Sequence, residues 1–221
     1  MTKQTFAAHA LLLATLCVHV RPVLAAPIIS STFDTNDESW TAEPSEGLIT
    51  HESKGGHPRG FLRIQDVGPA SYVVFPPVKF KGDLSAYDGG LLTYDVKVFI
   101  PTTPLSNVGS GFGRIQLEGG VSNATFDYAP EPPVPSTRFW KTYPVPLNAK
   151  AWHTTQENWE TVLANVTNFH ITLDLVPGQD IIGLDNFKVE PVPELSSLLL
   201  LGTGLLGLIG LRRKRFGSDS R

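Results

Sequence analysis

Between Leu91 and Ile100 apolar and polar residues alternate, with Leu92, Tyr94, Val96 and Val98 recurring at every second position. Successive side chains of a strand point to opposite faces, so this run specifies a half-buried strand and argues against an amphipathic helix. Similar runs occur at Phe61–Gln65 and Tyr72–Phe75, and at Gly113–Glu118 through Ile115 and Leu117. Two more span Asn168–Leu175, through Phe169, Ile171 and Leu173, and Ile181–Val189, through Ile182, Leu184, Phe187 and Val189. Gly47–Glu52 reads as another short strand. Eighteen prolines and twenty glycines, few of them clustered, separate these runs with turn chemistry, as in Lys54–Gly60. Pro130–Pro135 cannot be a central strand, and Pro144 and Pro146 place Phe139–Leu147 at a sheet edge. Only Trp159–Val166, apolar at Val162, Leu163 and Val166, suits a short helix. Many short strands and one small helix predict an all-β chain, an antiparallel β-sandwich.

The formal charge of -3 understates the acidity of the body, because basic residues gather at the ends. From Ala26 to Leu211 there are 11 lysines and arginines against 20 aspartates and glutamates. Nucleic acid, which requires a basic stripe, is excluded as a partner on this ground. The sole cysteine, Cys17, lies in the N-terminal apolar run, so the body holds no disulfide and depends on its core.

Lys3 and the apolar run Ala7–Val20, followed by Val23-Leu24-Ala25-Ala26, form a signal peptide over residues 1–25, with cleavage after Ala25 or Ala26. An uncleaved anchor is the alternative. At the other end, Leu195–Leu211 carries no charge and is followed by Arg212, Arg213, Lys214 and Arg215. At about 1.5 Å per residue the apolar run reaches about 25 Å, slightly short of a ~30 Å hydrocarbon core. The basic block predicts a cytoplasmic C-terminus with everything upstream outside.

The segment 192–215 resembles the PEP-CTERM sorting signal of Gram-negative bacteria: Pro193-Glu194, a short Gly-rich apolar helix, then Arg-rich residues. Leu195 departs from the proline that usually follows the glutamate in that family. The resemblance implies recognition by an exosortase-type enzyme and anchoring in the inner membrane before processing. It then implies release to the cell surface or an exopolysaccharide matrix. The alternative is a plain single-pass anchor.

The body, 28–190, resembles the laminin IV type A (laminin B) domain. The resemblance is carried by Gly55-Gly56-His57-Pro58-Arg59-Gly60-Phe61-Leu62, by Lys79–Gly90 followed by Leu92-Thr93-Tyr94-Asp95, by Trp140, Val145-Pro146-Leu147 and Trp152, and by Val162–Thr167 and Gly183-Leu184-Asp185-Asn186-Phe187. His57 and Arg59 stand where that family favours Asn and Gly, and Asp88 is inserted before the double glycine. The likeness implies a jelly-roll sandwich of the galactose-binding-like kind, an adhesive matrix module without catalysis.

Related sandwiches often hold a structural ion between an N-terminal turn and the last strand, where Asp34, Asp37 and Glu38 could meet Asp185. Calcium takes six to eight oxygens, so carbonyls or water would complete the set. The other reading makes these residues turn caps and loop partners. Trp40, Trp140, Trp152 and Trp159, with Tyr72, Tyr87 and Tyr128, could supply a flat platform that stacks on a sugar; most belong to the core of so small a sandwich, and the sequence does not say which one or two face a groove. Glu118, Asp127, Glu157 and Glu160 could supply a glycosidase pair, but no spacing selects two of them. His51, His57, His153 and His170 lack a cysteine partner or an HExxH helix, which argues against zinc. These features yield three functional readings. The first is a non-enzymatic surface or matrix protein, adhesive or bound to extracellular polysaccharide; the second is a carbohydrate-binding module; the last is a glycan-active hydrolase.

Overall fold

The computed structural model describes residues 26–43, 45–68, 71–100, 111–128, 134–175 and 179–192. The expected signal peptide with Ala25, the tail with Pro193, Glu194 and Arg212–Arg215, and most of the Pro130–Pro135 loop lie outside these residues. Among the described residues no helix is long and apolar enough to cross a membrane.

Eleven strands and one helix form the described body. The strands are β1 (Ile29–Ser31), β2 (Thr41–Ala42), β3 (Gly47–Glu52), β4 (Phe61–Asp66), β5 (Val73–Phe75) and β6 (Leu91–Ile100). They continue with β7 (Ile115–Gly119), β8 (Ser122–Phe126), β9 (Lys141–Pro146), β10 (Val166–Thr172) and β11 (Ile181–Glu190), and α1 spans Gln156–Ala164. The six-stranded sheet runs β3-β4-β11-β6-β9 with β1 beside β11, and the five-stranded sheet runs β2-β5-β10-β7-β8. Every strand pairing is antiparallel. The molecule is therefore the antiparallel two-sheet sandwich that the alternation implied.

The alternating residues of β6, β10 and β11 enter one buried cluster between the sheets, as do Tyr143 and Val145 of β9. Edge-to-face contacts run through its middle, with Trp40 and Phe80 against Phe187 at 4.9 and 5.1 Å. The prolines of β9 are tolerated because it is the outer strand of its sheet. Three strands were not foreseen. β1 and β2 are two or three residues long, and the Ser-Asn-Ala-Thr-Phe sequence of β8 buries only Ala124 and Phe126. The helix starts three residues earlier than its apolar spacing suggested and ends before Val166, which opens β10. Thr155 caps it by accepting from the Asn158 N–H at 3.2 Å, and Trp159, Val162 and Leu163 face inward.

The ladder between β11 and β6 shifts register twice at the site: from Ile181↔Ile100 to Ile182↔Val98, which leaves Phe99 as an extra residue on β6, and again within β11. Its register with β6 steps from Asp185↔Asp95 to Lys188↔Thr93, which places one extra residue on β11. Asn186, at φ 48°, forms this bulge. On the opposite side the neighbour changes from β4, paired through Leu184, to β1, paired from Phe187. A bulge re-aims side chains; here Leu184 and Phe187 both point inward, while Asp185 and Asn186 turn to the outer side.

Candidate functional site

Strand register arranges the outer face of the six-stranded sheet in rows. One row runs Thr50–Arg63–Gly183–Lys97 across β3, β4, β11 and β6, and Trp140 follows just before β9. Gly183 is required at the centre of that row. A Cβ there would lie 2.5 Å from the Trp140 ring, 2.8 Å from Phe99 and 3.0 Å from Phe61. The three rings thus lean over bare backbone. Phe61 and Phe99 stack at 4.9 Å, and Trp140 meets Phe61 edge-on at 5.4 Å. Phe61 is buried, Trp140 is half-buried, and Phe99 and Phe139 are 38% and 63% exposed. Trp140 Nε1 donates to the Gly55 carbonyl at 3.1 Å, which fixes the ring. Lys97 Nζ stands 5.2 Å from the centre of the Phe99 ring, a cation–π arrangement. The result is an aromatic ledge held rigid from below.

Beside the ledge, the loop from Ser53 to Gly60 folds onto the bulge. Asp95 is the anchor: one oxygen accepts from His57 Nδ1 and Asn186 Nδ2, both at 2.9 Å, and the other from Thr142 Oγ1 at 2.5 Å. Asp185 accepts the His57 N–H at 2.6 Å and the Asn186 N–H at 2.7 Å, and Asn186 Nδ2 also donates to the His57 carbonyl. Burial pushes the Asp185 carboxyl up to about 6, with Asp95 and Asp34 adding to the rise and the two N–H donors opposing it. Gly56 admits this approach, since a Cβ would fall 2.0 Å from the Gly60 carbonyl oxygen and 2.8 Å from Asp185. His57 keeps 59% of its side chain exposed while Asp95 keeps 6%, so the loop presents an imidazole to solvent above a buried carboxylate.

The residues expected to share calcium are placed differently. Glu38 accepts from the Thr32 and Phe33 N–H groups at 2.9 Å and pairs with Lys79. Burial raises its pKa, but these partners outweigh that and hold it below the usual carboxylate range. Asp37 accepts from the Ser39 N–H at 3.0 Å, Asp34 faces Arg59 at 3.5 Å, and Asp185 belongs to the loop anchor. Among the described residues no three His, Cys, Asp or Glu side chains converge as a metal site. Oxygens already committed to N–H donors and cations do not fit an ion that needs six to eight ligands.

The four tryptophans divide between core and surface. Trp40, Trp152 and Trp159 are core residues, their N–H groups satisfied by Ser31 Oγ, the Pro146 carbonyl and Asp88 respectively. Of the four, only Trp140 reaches a surface. Its partners Phe61 and Phe99 were overlooked, although the outward phase of β4 and β6 carried the signal. The proposed glycosidase carboxylates have local partners: Gln116 for Glu118, Arg114 for Asp127 and Gln156 for Glu160. Glu157 lies in the first turn of α1.

The five-stranded sheet shifts register between Val166 and Asn168 at the start of β10, and its outer face is regular beyond that point. Its central row runs Thr41–Phe75–His170–Gln116–Thr125, and all but the exposed Thr41 are half-buried. Phe75 and His170 meet edge-on at 5.9 Å, and Gln116 donates to Glu118 at 3.1 Å.

No family model and no curated protein matches the chain. Solved structures do. The L4b domain of human laminin α2 is 12% identical, with 60% of this chain and 80% of that one covered at a TM-score of 0.47. The family 11 carbohydrate-binding module of the Clostridium thermocellum cellulase Lic26A-Cel5E is 13% identical, with 76% and 98% covered and a TM-score of 0.46. The CBM22-1 xylan-binding domain of Paenibacillus barcinonensis Xyn10C is 11% identical, with 77% and 97% covered and a TM-score of 0.47. Likenesses of this strength assign neither ligand nor activity.

Proposed function

We propose that the chain is a non-enzymatic binding module of a surface or matrix protein, and that it holds polysaccharide on the outer face of the six-stranded sheet. The observation that carries this reading is the ledge: three rings held over Gly183, Trp140 pinned to Gly55, and Phe99 open to solvent. A sugar ring presents an apolar face and a polar edge. Such a ledge supplies the apolar contact, and His57, Arg63 and Lys97 around it supply hydrogen-bond donors. Rings already fixed lose little entropy on binding.

Affinity electrophoresis of the full chain in mild detergent, through gels containing different polysaccharides, tests this. Trp140→Ala should weaken retention on the order of thirtyfold, the scale of an interface hot spot. Phe99→Ala, which removes the exposed ring stacked on Phe61, should also weaken it. Retention unchanged in both variants would place the ligand elsewhere, and turnover of a retained polysaccharide would make the chain an enzyme.

The N-terminal apolar run and the tail from Pro193 to Arg215 support export, attachment to the inner membrane and exosortase-type sorting to the surface. Cell fractionation with mass measurement of the mature C-terminus tests that part. A mature protein in the cytosol with both ends intact would overturn it.

A further inference from the structure

Arg63 and Lys97 flank Gly183 in a single row, so the ledge has a cation on each side. Their Cα atoms are two strand spacings apart, about 10 Å. Among the described residues neither forms an ion pair. The Arg63 guanidinium reaches only Gln65 Oε1, at 3.2 Å, and Lys97 Nζ stands over Phe99. The carboxylates of the next row are Glu52, which makes no ion pair with Arg63 among the described residues, and Asp95 and Asp185, which turn their oxygens to His57, Asn186 and Thr142. A body with 11 basic residues against 20 acidic ones has carboxylates enough to pair its cations, yet leaves these without them.

From this juxtaposition we propose that the ledge selects an acidic polysaccharide, one whose sugar carboxylates meet Arg63 and Lys97 while the ring between them lies on Trp140 and Phe99. The inference rests on the polysaccharide reading above and adds the charge of the ligand. Both side chains are half-buried and the Lys97 ammonium lies over the Phe99 ring, so they are partly dehydrated, which strengthens a charge-assisted hydrogen bond to a carboxylate. The first and last strands of the described body meet at the end of β11 far from the ledge. Val189 at the close of β11 pairs with Ile29 at the start of β1, whereas Ile181 at its beginning pairs with Ile100 beside Phe99. A ligand on the ledge therefore lies away from the two ends of the described body.

The test measures retention of the full chain in detergent on polygalacturonate, alginate and hyaluronan, each compared with its own methyl ester. The ester keeps the sugar backbone and removes the charge. At least one acid form should bind about tenfold more tightly than its ester, the worth of one charge-assisted hydrogen bond. The preference should shrink as salt is raised. Arg63→Gln with Lys97→Gln should abolish the preference by weakening the acid form more than the ester, and Trp140→Ala should weaken both forms alike. Equal binding of every acid and its ester, still dependent on Trp140, would overturn the charge inference and leave the polysaccharide reading standing. Absence of Trp140-dependent binding to any polysaccharide would overturn both. Binding confined to vesicles of anionic phospholipid would also overturn the proposal.

Discussion

The two outer faces of the sandwich are built from the same alternation and differ in how often it is broken. On the five-stranded side the row Thr41–Phe75–His170–Gln116–Thr125 follows the ladder without a change of phase, and its polar groups bond within the face. On the six-stranded side an extra residue in β11, a glycine at position 183 and the loop at His57 interrupt the ladder within three residues of one another in β11. Regular pleating buries one face and leaves the other to solvent. Only the interrupted face brings three rings, two buried carboxylates and two unpaired cations to one place. A binding site on this scaffold comes from departures from strand geometry.

That contrast can be broken experimentally, and the largest effect is expected at Gly183. Gly183→Val must displace the three rings and should cost about 3 kcal/mol by denaturant titration, the upper end for overpacking. Gln116→Val on the regular face should change stability by less than about 0.5 kcal/mol. Comparable losses at both positions would erase the distinction. Next is the loop anchor. Asp95→Ala strands His57, Asn186 and Thr142 and should cost about 2 kcal/mol, with faster hydrogen exchange at the His57 N–H.

A smaller effect separates the faces by pH. The folded state holds the Asp185 proton up to about 6, whereas an unfolded aspartate releases it near pH 4. The folded state therefore binds more protons in that window, and this group's contribution to stability falls as pH rises from about 4 to about 6. Asp185→Asn should flatten that segment of the stability profile. His170 moves the other way: burial lowers its pKa and Glu118 partly restores it. An imidazole with a lowered folded pKa costs stability as pH falls below its unfolded value, so His170→Ala should relieve loss on the acid side only. His170→Ala should also leave polysaccharide retention intact. If it abolishes retention while Trp140→Ala does not, the ligand lies on the regular face. The smallest expected effect is that of calcium. With Glu38 and Asp185 already committed to N–H donors, calcium or a chelator should leave the thermal midpoint where it was, and a clear rise with calcium would restore the ion.

Alternation made β6, β10 and β11 legible along the chain because a half-buried strand needs an apolar residue at every second position. Pro144 and Pro146 identified β9 as an edge for an equally local reason, the missing N–H. β8 escaped because Ser122, Asn123 and Thr125 resemble a loop; its place depends on pairing with β7 and on the cover that α1 provides. Which of the tryptophans reaches a groove was not legible. A large amphipathic ring suits a core and a sugar platform equally, and the sequence around Trp159 does not reveal that Asp88, 71 positions away, satisfies its N–H.

Local chemistry determined much of this protein: strands where residues alternate, turns where glycine and proline gather, an acidic body without disulfides, and greasy ends with basic flanks. Tertiary structure alone decided that Gly183 lies between Arg63 and Lys97, that Phe61, Phe99 and Trp140 cover it, and that His57 reaches Asp95. These residues lie on different strands and a loop, and their meeting depends on strand order and on a register with two shifts between β11 and β6. Those are properties of pairing between distant segments, which no local window of sequence contains.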